Sequence, residues 1–247
     1  MGATRLEFRL RMAINAVIIV LGFWAPWIEP WGIGSRTSLL EWLALELSRV
    51  GLVRFAVATP LVIVVGALVA AVGAFLRVWG TAYLGTATVI SPEMKAGPVM
   101  ADGPFRYVRN PLYLGLWFMV AALGFLMPPT GALLSLVLLT IFLLRLILGE
   151  EAYLTKQIGE SYQAYLRGVP RLVPRLRNAP PRSGSSPHWL RGVFSELTPI
   201  GVFVALAFFS WSYDNRLMGR VVLISFGVSL VVRALLPGGP GNTTSSD

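Results

Sequence analysis

Apolar residues are concentrated in six windows of the chain, which are separated by shorter polar segments. Each window holds roughly 16 to 22 residues, enough for a helix rising about 1.5 Å per residue to cross about 30 Å of hydrocarbon. Such segments are expected to be helical, because only a helix satisfies its own backbone groups in lipid. The windows span residues 12–28, 55–76, 112–127, 131–149, 193–211 and 218–236. The pattern therefore predicts an all-α fold, a polytopic transmembrane helical bundle of about six spans.

The polar segments divide the chain into five predicted parts. Residues 1–76 carry two transmembrane helices joined by an outer loop, in which 39–50 has the pattern of an amphipathic helix at the interface. Residues 77–176 form a core whose hairpin is closed by the turn Pro128-Pro-Thr-Gly131. A linker at 177–191, a C-terminal helix pair at 192–236 and a disordered tail at 237–247 follow. In the second span, Gly66, Ala70 and Ala74 offer small residues for close helix packing.

The basic residues predict the orientation of the spans. If both termini face the cytoplasm, fifteen of the 21 Lys and Arg residues lie on the inner side and five on the outer side, and Arg145 lies inside a span. This bias agrees with the positive-inside rule. We therefore expect an integral protein of a bacterial inner (plasma) membrane. Topology and anionic headgroups account for the net charge of +9, so no nucleic-acid partner is expected.

Composition agrees with a membrane protein and narrows the possible chemistry. Hydrophobic residues make up 55% of the chain, charged residues only 13%, and the mean hydropathy is +0.67. The chain has no cysteine and one histidine, His188, so neither a thiolate nor a multi-histidine metal centre is expected. Neither a phosphate-binding loop nor a dinucleotide-binding glycine motif occurs.

A basic turn, Gly103-Pro-Phe-Arg-Tyr-Val-Arg-Asn-Pro-Leu-Tyr-Leu-Gly115, runs directly into the third apolar window. Asn110 and Pro111 are typical of a helix start, and Arg106 and Arg109 suit an anchor to lipid headgroups. The same helix start also offers free amide groups and a positive dipole end to an anion. Both interpretations remain open from the residues alone.

A pair of carboxylates, Glu150 and Glu151, follows the fourth window. It is either a solvated helix end or a pair of ligand-binding side chains. After it, Leu154, Ile158, Tyr162 and Tyr165 recur at helical spacing, which predicts an amphipathic helix on the cytoplasmic membrane face that Pro170 ends. Because one hairpin connects the basic turn to the carboxylates, both are expected at the same membrane face.

The two motifs together resemble the isoprenylcysteine carboxyl methyltransferase and phospholipid methyltransferase family of integral membrane methyltransferases. The resemblance covers roughly residues 75–176. It implies S-adenosyl-L-methionine as the cofactor and a lipid or lipophilic small molecule as the methyl acceptor. The family's cofactor contacts then correspond to Gly97, Pro98, Val99, Met100, Phe105, Asn110, Pro111, Leu112, Tyr113, Glu150 and Glu151. The family histidine that aligns with Gly97 is absent, and Phe105 replaces the usual tyrosine.

Catalytic roles are predicted for Arg145 and Glu150. Arg145 lies inside a span about one turn from its cytoplasmic end, where it either snorkels to the interface or contacts the acceptor, as a nearby arginine does in the prenylcysteine enzymes. Glu150 or Glu151 is expected to accept a proton if the acceptor is an amine, whereas a carboxylate acceptor needs no base. The predicted reaction is methyl transfer to a carboxylate, amine or thiol.

Two alternatives to a methyltransferase remain from the sequence. An NADPH-dependent membrane reductase of the steroid-reductase type has a similar turn, but it carries a glutamate directly after the glycine, where this chain has Leu116 after Gly115. A non-catalytic membrane scaffold is the second alternative. Ligand binding discriminates among the three, whereas the oligomeric state is not predicted.

Overall fold

The computed structural model describes residues 2–24, 37–85, 101–176, 184–212 and 215–235. Within these ranges the chain is helical and contains no strand, which confirms the predicted all-α class. The helices are α1 (Arg5–Arg9), α2 (Arg11–Phe23), α3 (Leu39–Arg49), α4 (Phe55–Leu84), α5 (Pro111–Gly124), α6 (Pro129–Ile158), α7 (Glu160–Gly168), α8 (Trp189–Ser195), α9 (Leu197–Ser212) and α10 (Asn215–Leu235). Every predicted apolar window coincides with one of them over most of its length.

Two of the described helices are long and apolar enough to cross a membrane. They are α4 and α6, each of 30 residues with a mean hydropathy of 2.6 and 2.5. A third span is obtained if α8 and α9, which meet at a bend of 70°, count as one. The helices α2 and α5 and residues 220–232 of α10 are apolar but shorter. The total of six spans therefore stays a prediction.

Helix α4 lies at the centre of the bundle and packs against α3, α5, α8 and α9. Ala70 and Ala74 are buried in one apolar cluster with residues of α5 and α9, which confirms the small-residue face. Two glycines meet where α4 approaches α5. A Cβ atom on Gly73 would lie 2.9 Å from the carbonyl oxygen of Gly115, and one on Gly115 would lie 2.9 Å from that of Gly73. Only glycines allow the two backbones to come this close.

The N-terminal segment and the segment that carries α3 dock on the core through backbone hydrogen bonds. The amide of Ala3 donates to the carbonyl of Arg145 on α6 at 2.7 Å. A capping box between Ser38 and Glu41 starts α3, as the amphipathic pattern predicts. The amide of Leu39 then donates to the carbonyl of Met127, beside the hairpin turn, at 2.7 Å. The position of α3 along a membrane interface remains a prediction.

Helix α6 continues past the predicted end of its span. The sequence predicts a span ending near residue 149 and then a separate amphipathic helix, whereas the structure has one helix through Glu150 and Glu151 as far as Ile158. Residues 150–157 contain no helix breaker, so the backbone hydrogen bonds continue. The break occurs at Gly159, whose φ of +75° is in the left-handed region that favours glycine. Helix α7 begins at the next residue.

Candidate active site

The basic turn is a compact structure between α4 and α5. Residues Gly103–Arg106 form a turn of 3₁₀ helix, in which Phe105 is buried. Gly103 has a φ of +56°, and the ring of Tyr83 lies so close that no Cβ atom fits there. As the sequence predicts, Pro111 occupies the first turn of α5. The side chain of Asn110, however, does not cap this helix, so it leaves the first-turn amide groups to other partners.

The second motif contacts the turn through Glu151. This carboxylate is buried, and it receives Arg109 Nη1 on Oε1 at 3.2 Å and Arg171 Nη2 on Oε2 at 2.8 Å. Arg171 Nε also donates to Oε1 at 3.2 Å. One glutamate of α6 therefore connects an arginine of the basic turn with an arginine that follows α7.

Hydrogen bonds to main-chain carbonyls hold the same two segments together. The amide of Arg109 donates to the carbonyl of Pro170 at 2.9 Å, and Asn110 Nδ2 donates to the carbonyl of Arg171 at 3.1 Å. The hydroxyl of Tyr165 donates to the carbonyl of Phe105 at 2.8 Å. The structure thus brings the two motifs together, as the hairpin predicts.

Glu150 has a different environment from its neighbour. The hydroxyl of Tyr113 on α5 and the charge of Arg11 on α2 both act on its carboxylate. Two predicted site elements therefore approach each other here, the start of α5 and the C-terminal part of α6, with Arg11 of α2 beside them. Leu112 and Tyr113 lie in the first turn of α5, directly after Pro111.

Arg109 leaves one donor without a protein partner. Its Nε atom is buried and has no hydrogen-bond partner among the described residues. Buried donors are rarely left unpaired, so such an atom indicates a bound group or a water molecule. It belongs to the same side chain that contacts Glu151, next to the uncapped start of α5.

Two tyrosines of α7 lie beside this cluster and stay protonated. Burial, together with the charge of Glu151, raises the pKa of Tyr162 to about 12. Burial also raises the pKa of Tyr165 well above its usual value, and the neighbouring Tyr162 adds to this. Their rings lie 5.9 Å apart. Both phenols are thus hydrogen-bond donors at neutral pH.

Arg145 has a partner that the sequence did not indicate. It donates from Nε and Nη2 to the carboxylate of Glu7 in α1, over distances of 2.9–3.1 Å. These bonds lower the pKa of Glu7 to about 2. Arg145 is therefore paired with Glu7, and no contact in the described structure joins it to Glu150 or Glu151.

A cavity of about 340 Å³ is lined in part by the basic turn. Its wall combines the aromatic side chains of Trp79, Tyr83 and Tyr107 with polar groups, of which Asp102 is buried and accepts a hydrogen bond from the Ser185 amide at 2.8 Å. The remaining lining residues are Gly103, Arg106, Gly184, Ser186 and Pro187. Trp79 and Tyr83, four residues apart near the end of an apolar helix, are the signal that could have indicated this wall.

Four predicted cofactor residues, Gly97, Pro98, Val99 and Met100, lie outside the described residues. The described chain resumes at Ala101, immediately before Asp102 in the cavity wall.

Comparison with known proteins indicates which family this part of the chain resembles. Residues 61–161 match the family model described as phospholipid methyltransferase. This segment, less than half of the chain, is similar to membrane methyltransferases. The resemblance found in the two motifs is thereby confirmed, and with the apolar helices it indicates an integral membrane protein.

Two curated relatives share part of the chain. Protein-S-isoprenylcysteine O-methyltransferase of Schizosaccharomyces pombe is 39% identical over 92 residues, which cover 36% of this chain and 38% of that protein. Methanethiol S-methyltransferase of Crocosphaera subtropica is 42% identical over 73 residues, which cover 28% of this chain and 27% of that protein. The chain thus spans less than half the length of either relative. No solved structure matches the chain.

Proposed function

We propose that this protein transfers a methyl group from S-adenosyl-L-methionine to a lipophilic or membrane-embedded acceptor at the cytoplasmic membrane face. The family match of residues 61–161 supports methyl transfer. The names of the two relatives cover an oxygen and a sulfur acceptor, and the family name adds phospholipids. The acceptor atom is therefore left as a carboxylate oxygen, a thiol sulfur or an amine nitrogen.

The unpaired Nε atom of Arg109 is the observation that carries the proposal. It lies in a residue of the turn that also contains the uncapped start of α5, and both features suit a carboxylate such as that of the cofactor. Glu150 is the matching acceptor for the cofactor's amino group, and Leu112 and Tyr113 supply first-turn contacts. Glu151, which is already paired with two arginines, positions this turn.

The cavity suits the nucleoside part of the same cofactor. Its aromatic side chains, Trp79 and Tyr107 among them, offer stacking surfaces for a purine, and Asp102 offers a carboxylate for ribose hydroxyls. The predicted contacts Gly97, Pro98, Val99 and Met100 directly precede this wall in the sequence. Phe105, buried within the turn, supports the backbone between the two halves of the site.

The bound cofactor would supply a methyl group made electrophilic by its sulfonium charge. The chain's part is to hold this group in line with the acceptor and to exclude water. For an amine acceptor, the Glu150 carboxylate accepts the proton that the nitrogen must lose. Arg145 contacts an anionic acceptor only if that acceptor displaces Glu7.

Ligand-induced stabilisation of the purified protein tests the proposal. We expect adenosylhomocysteine, the product form of the cofactor, to raise Tm, by an amount corresponding to about 2.7 kcal/mol at a hundred times Kd. NADPH at the same concentration is the control, and we expect it to have no effect. Stabilisation by NADPH alone would favour a reductase, and stabilisation by neither ligand would favour a non-catalytic protein.

A further inference from the structure

The break between α8 and α9 carries a glutamate that is removed from water. Glu196 has no exposed surface, and its carboxylate receives Arg77 Nε at 2.7 Å, Arg77 Nη2 at 3.0 Å and Thr81 Oγ1 at 2.7 Å. Arg77 and Thr81 belong to α4, inside the family match, whereas Glu196 lies beyond its end. The C-terminal helix pair therefore places a charged group inside the methyltransferase segment.

Stability alone is a poor reason for this arrangement. A buried ion pair gains little over well-packed apolar residues, because both charges must first be removed from water. Ionisable groups inside apolar helices are therefore expected to serve function. Helix α8 is, moreover, held against α4 by contacts that do not involve this ion pair. The amide of His188 donates to the carbonyl of Ala82 at 2.8 Å, and Gly192 lies so close to α4 that a Cβ atom would be 2.8 Å from the carbonyl oxygen of Val78.

Arg77 extends from Glu196 to the start of α5. Its Nη1 atom donates to the carbonyl of Leu112 at 3.4 Å. A Cβ atom on Gly115 would lie only 2.7 Å from the Cγ atom of Arg77. The arginine thus lies along the first turn of α5, which carries Tyr113, whose hydroxyl acts on the Glu150 carboxylate.

We infer that Glu196 is a positioning residue for the proposed methyl-transfer site. It fixes the Arg77 guanidinium against the Leu112 carbonyl, and this contact orients the turn that presents Tyr113 to Glu150. Without the carboxylate, the long arginine side chain is free to extend toward the interface, and the turn loses its support. The inference rests on the proposed function, and it makes the C-terminal helix pair a required part of the site.

Substitution of Glu196 tests this role. We expect Glu196→Gln to fold, because the backbone contacts of His188 and Gly192 remain, but to bind adenosylhomocysteine about tenfold more weakly or worse. Ser229→Ala is the matched control, since it removes another buried polar group from the same helix pair and is expected to leave affinity unchanged. If Glu196→Gln does not fold, Arg77→Lys replaces it, because lysine keeps the charge but cannot bridge Glu196 and Leu112.

A merely structural role is distinguished by a double-mutant cycle with Tyr113→Phe. If Glu196 acts through the turn, the affinity losses of Glu196→Gln and Tyr113→Phe are less than additive, whereas their effects on Tm add. Wild-type affinity in both Glu196→Gln and Arg77→Lys, or fully additive affinity losses, would overturn the inference and leave the proposed function standing. Absence of adenosylhomocysteine binding in the wild-type protein would instead overturn the proposed function, and the inference with it.

Discussion

Arg145 and Glu7 are joined by three hydrogen bonds across 138 positions of sequence. Arg145 Nε and Nη2 both donate to Oε1 of Glu7, at 3.1 Å and 2.9 Å, and Nη2 also donates to Oε2 at 3.0 Å. The pair fastens the N-terminal helix α1 onto the polar end of α6. Any acceptor anion that binds Arg145 has to compete with this carboxylate.

Substitution of each partner in turn distinguishes two roles of Arg145, binding of the acceptor and attachment of α1. If the acceptor displaces Glu7, Arg145→Lys lowers methyl transfer, because lysine lacks the planar fork, whereas Glu7→Gln frees the guanidinium and lowers the acceptor KM. The measurement is methyl transfer to an extracted lipid pool, with adenosylhomocysteine affinity as the control that neither variant should change. Equal turnover in both variants and in the wild type would restrict Arg145 to holding α1.

The same pair predicts a dependence of stability on acid pH. The pKa of Glu7 is about 2 in the folded protein, below its ordinary value of 4.5. The pair therefore contributes its full stability above about pH 4.5 and loses it as the pH falls toward 2. We expect the Tm difference between wild type and Glu7→Gln to shrink between pH 5 and pH 2.5.

Glu46→Gln is the control for this experiment, because it removes a glutamate from an exposed ion pair with Arg49. Exposed pairs contribute little, so its Tm difference from wild type should be small throughout. A difference for Glu7→Gln that stays constant over the whole range would contradict the assigned pKa.

The sequence predicts the local parts of this site better than the long-range ones. The helix start at Pro111, the hairpin turn at Pro128 and the small-residue face around Ala70 each follow from neighbouring residues, and the structure has all three. The contact between the two motifs also follows, because one hairpin joins them. The break at Gly159 has a local signal too, a glycine between helical segments, although the periodicity of the flanking residues obscured it.

The pairs Glu7–Arg145 and Glu196–Arg77 have no such signal. Their partners lie 138 and 119 positions apart, and a charge flanking an apolar helix looks the same whether it meets solvent or a distant partner. The role of Glu151 was likewise hidden, since a glutamate pair in a sequence does not reveal which member faces the arginines. Such choices depend on how the helices pack, which hydrophobic periodicity does not specify.

The two glutamates of α6 should respond differently to neutralisation. Glu151→Gln breaks a buried contact with Arg109 and Arg171, so we expect it to lower both the stability, by about 2–3 kcal/mol, and the affinity for adenosylhomocysteine. Glu150→Gln should lower the affinity for adenosylhomocysteine about as much as Glu151→Gln does. It should leave Tm close to that of the wild type. Calorimetry and thermal unfolding of the purified variants measure both quantities.

Glu160→Gln serves as the control for loss of one negative charge, because Glu160 is exposed at the start of α7. Identical losses of both stability and affinity in Glu150→Gln and Glu151→Gln would show that the two carboxylates act as one unit. Unchanged affinity in both would remove them from the cofactor site.

The proposed orientation can be tested by labelling, because the chain has no cysteine. A single cysteine at Ser186, an exposed residue in the cavity wall, should be protected from an impermeant thiol reagent in intact cells and should react after permeabilisation. A cysteine at Ser48, in the segment predicted to face outward, is the matched control and should react from outside. Labelling of Ser186→Cys in intact cells would contradict the proposed orientation and indicate the opposite one.

Trp79 tests whether the cavity holds the nucleoside. Loss of a stacking ring costs about 1–3 kcal/mol, so Trp79→Leu should weaken adenosylhomocysteine binding roughly 5- to 150-fold. Phe75→Leu is the matched control. The centroids of the Phe75 and Trp79 rings lie 5.4 Å apart, and Phe75 is more than half exposed, but it does not line the cavity.

Methylthioadenosine sharpens the test of Trp79, because it contains the nucleoside without the amino-acid end. If the purine stacks on Trp79, Trp79→Leu weakens both ligands by the same factor. Glu150→Gln, at the other half of the proposed site, should then weaken adenosylhomocysteine and leave methylthioadenosine unaffected, because that ligand has no amino-acid α-amino group for the carboxylate to bind. The opposite pattern, with Trp79→Leu silent for methylthioadenosine, would place the nucleoside outside this cavity and leave the cavity without a role in cofactor binding.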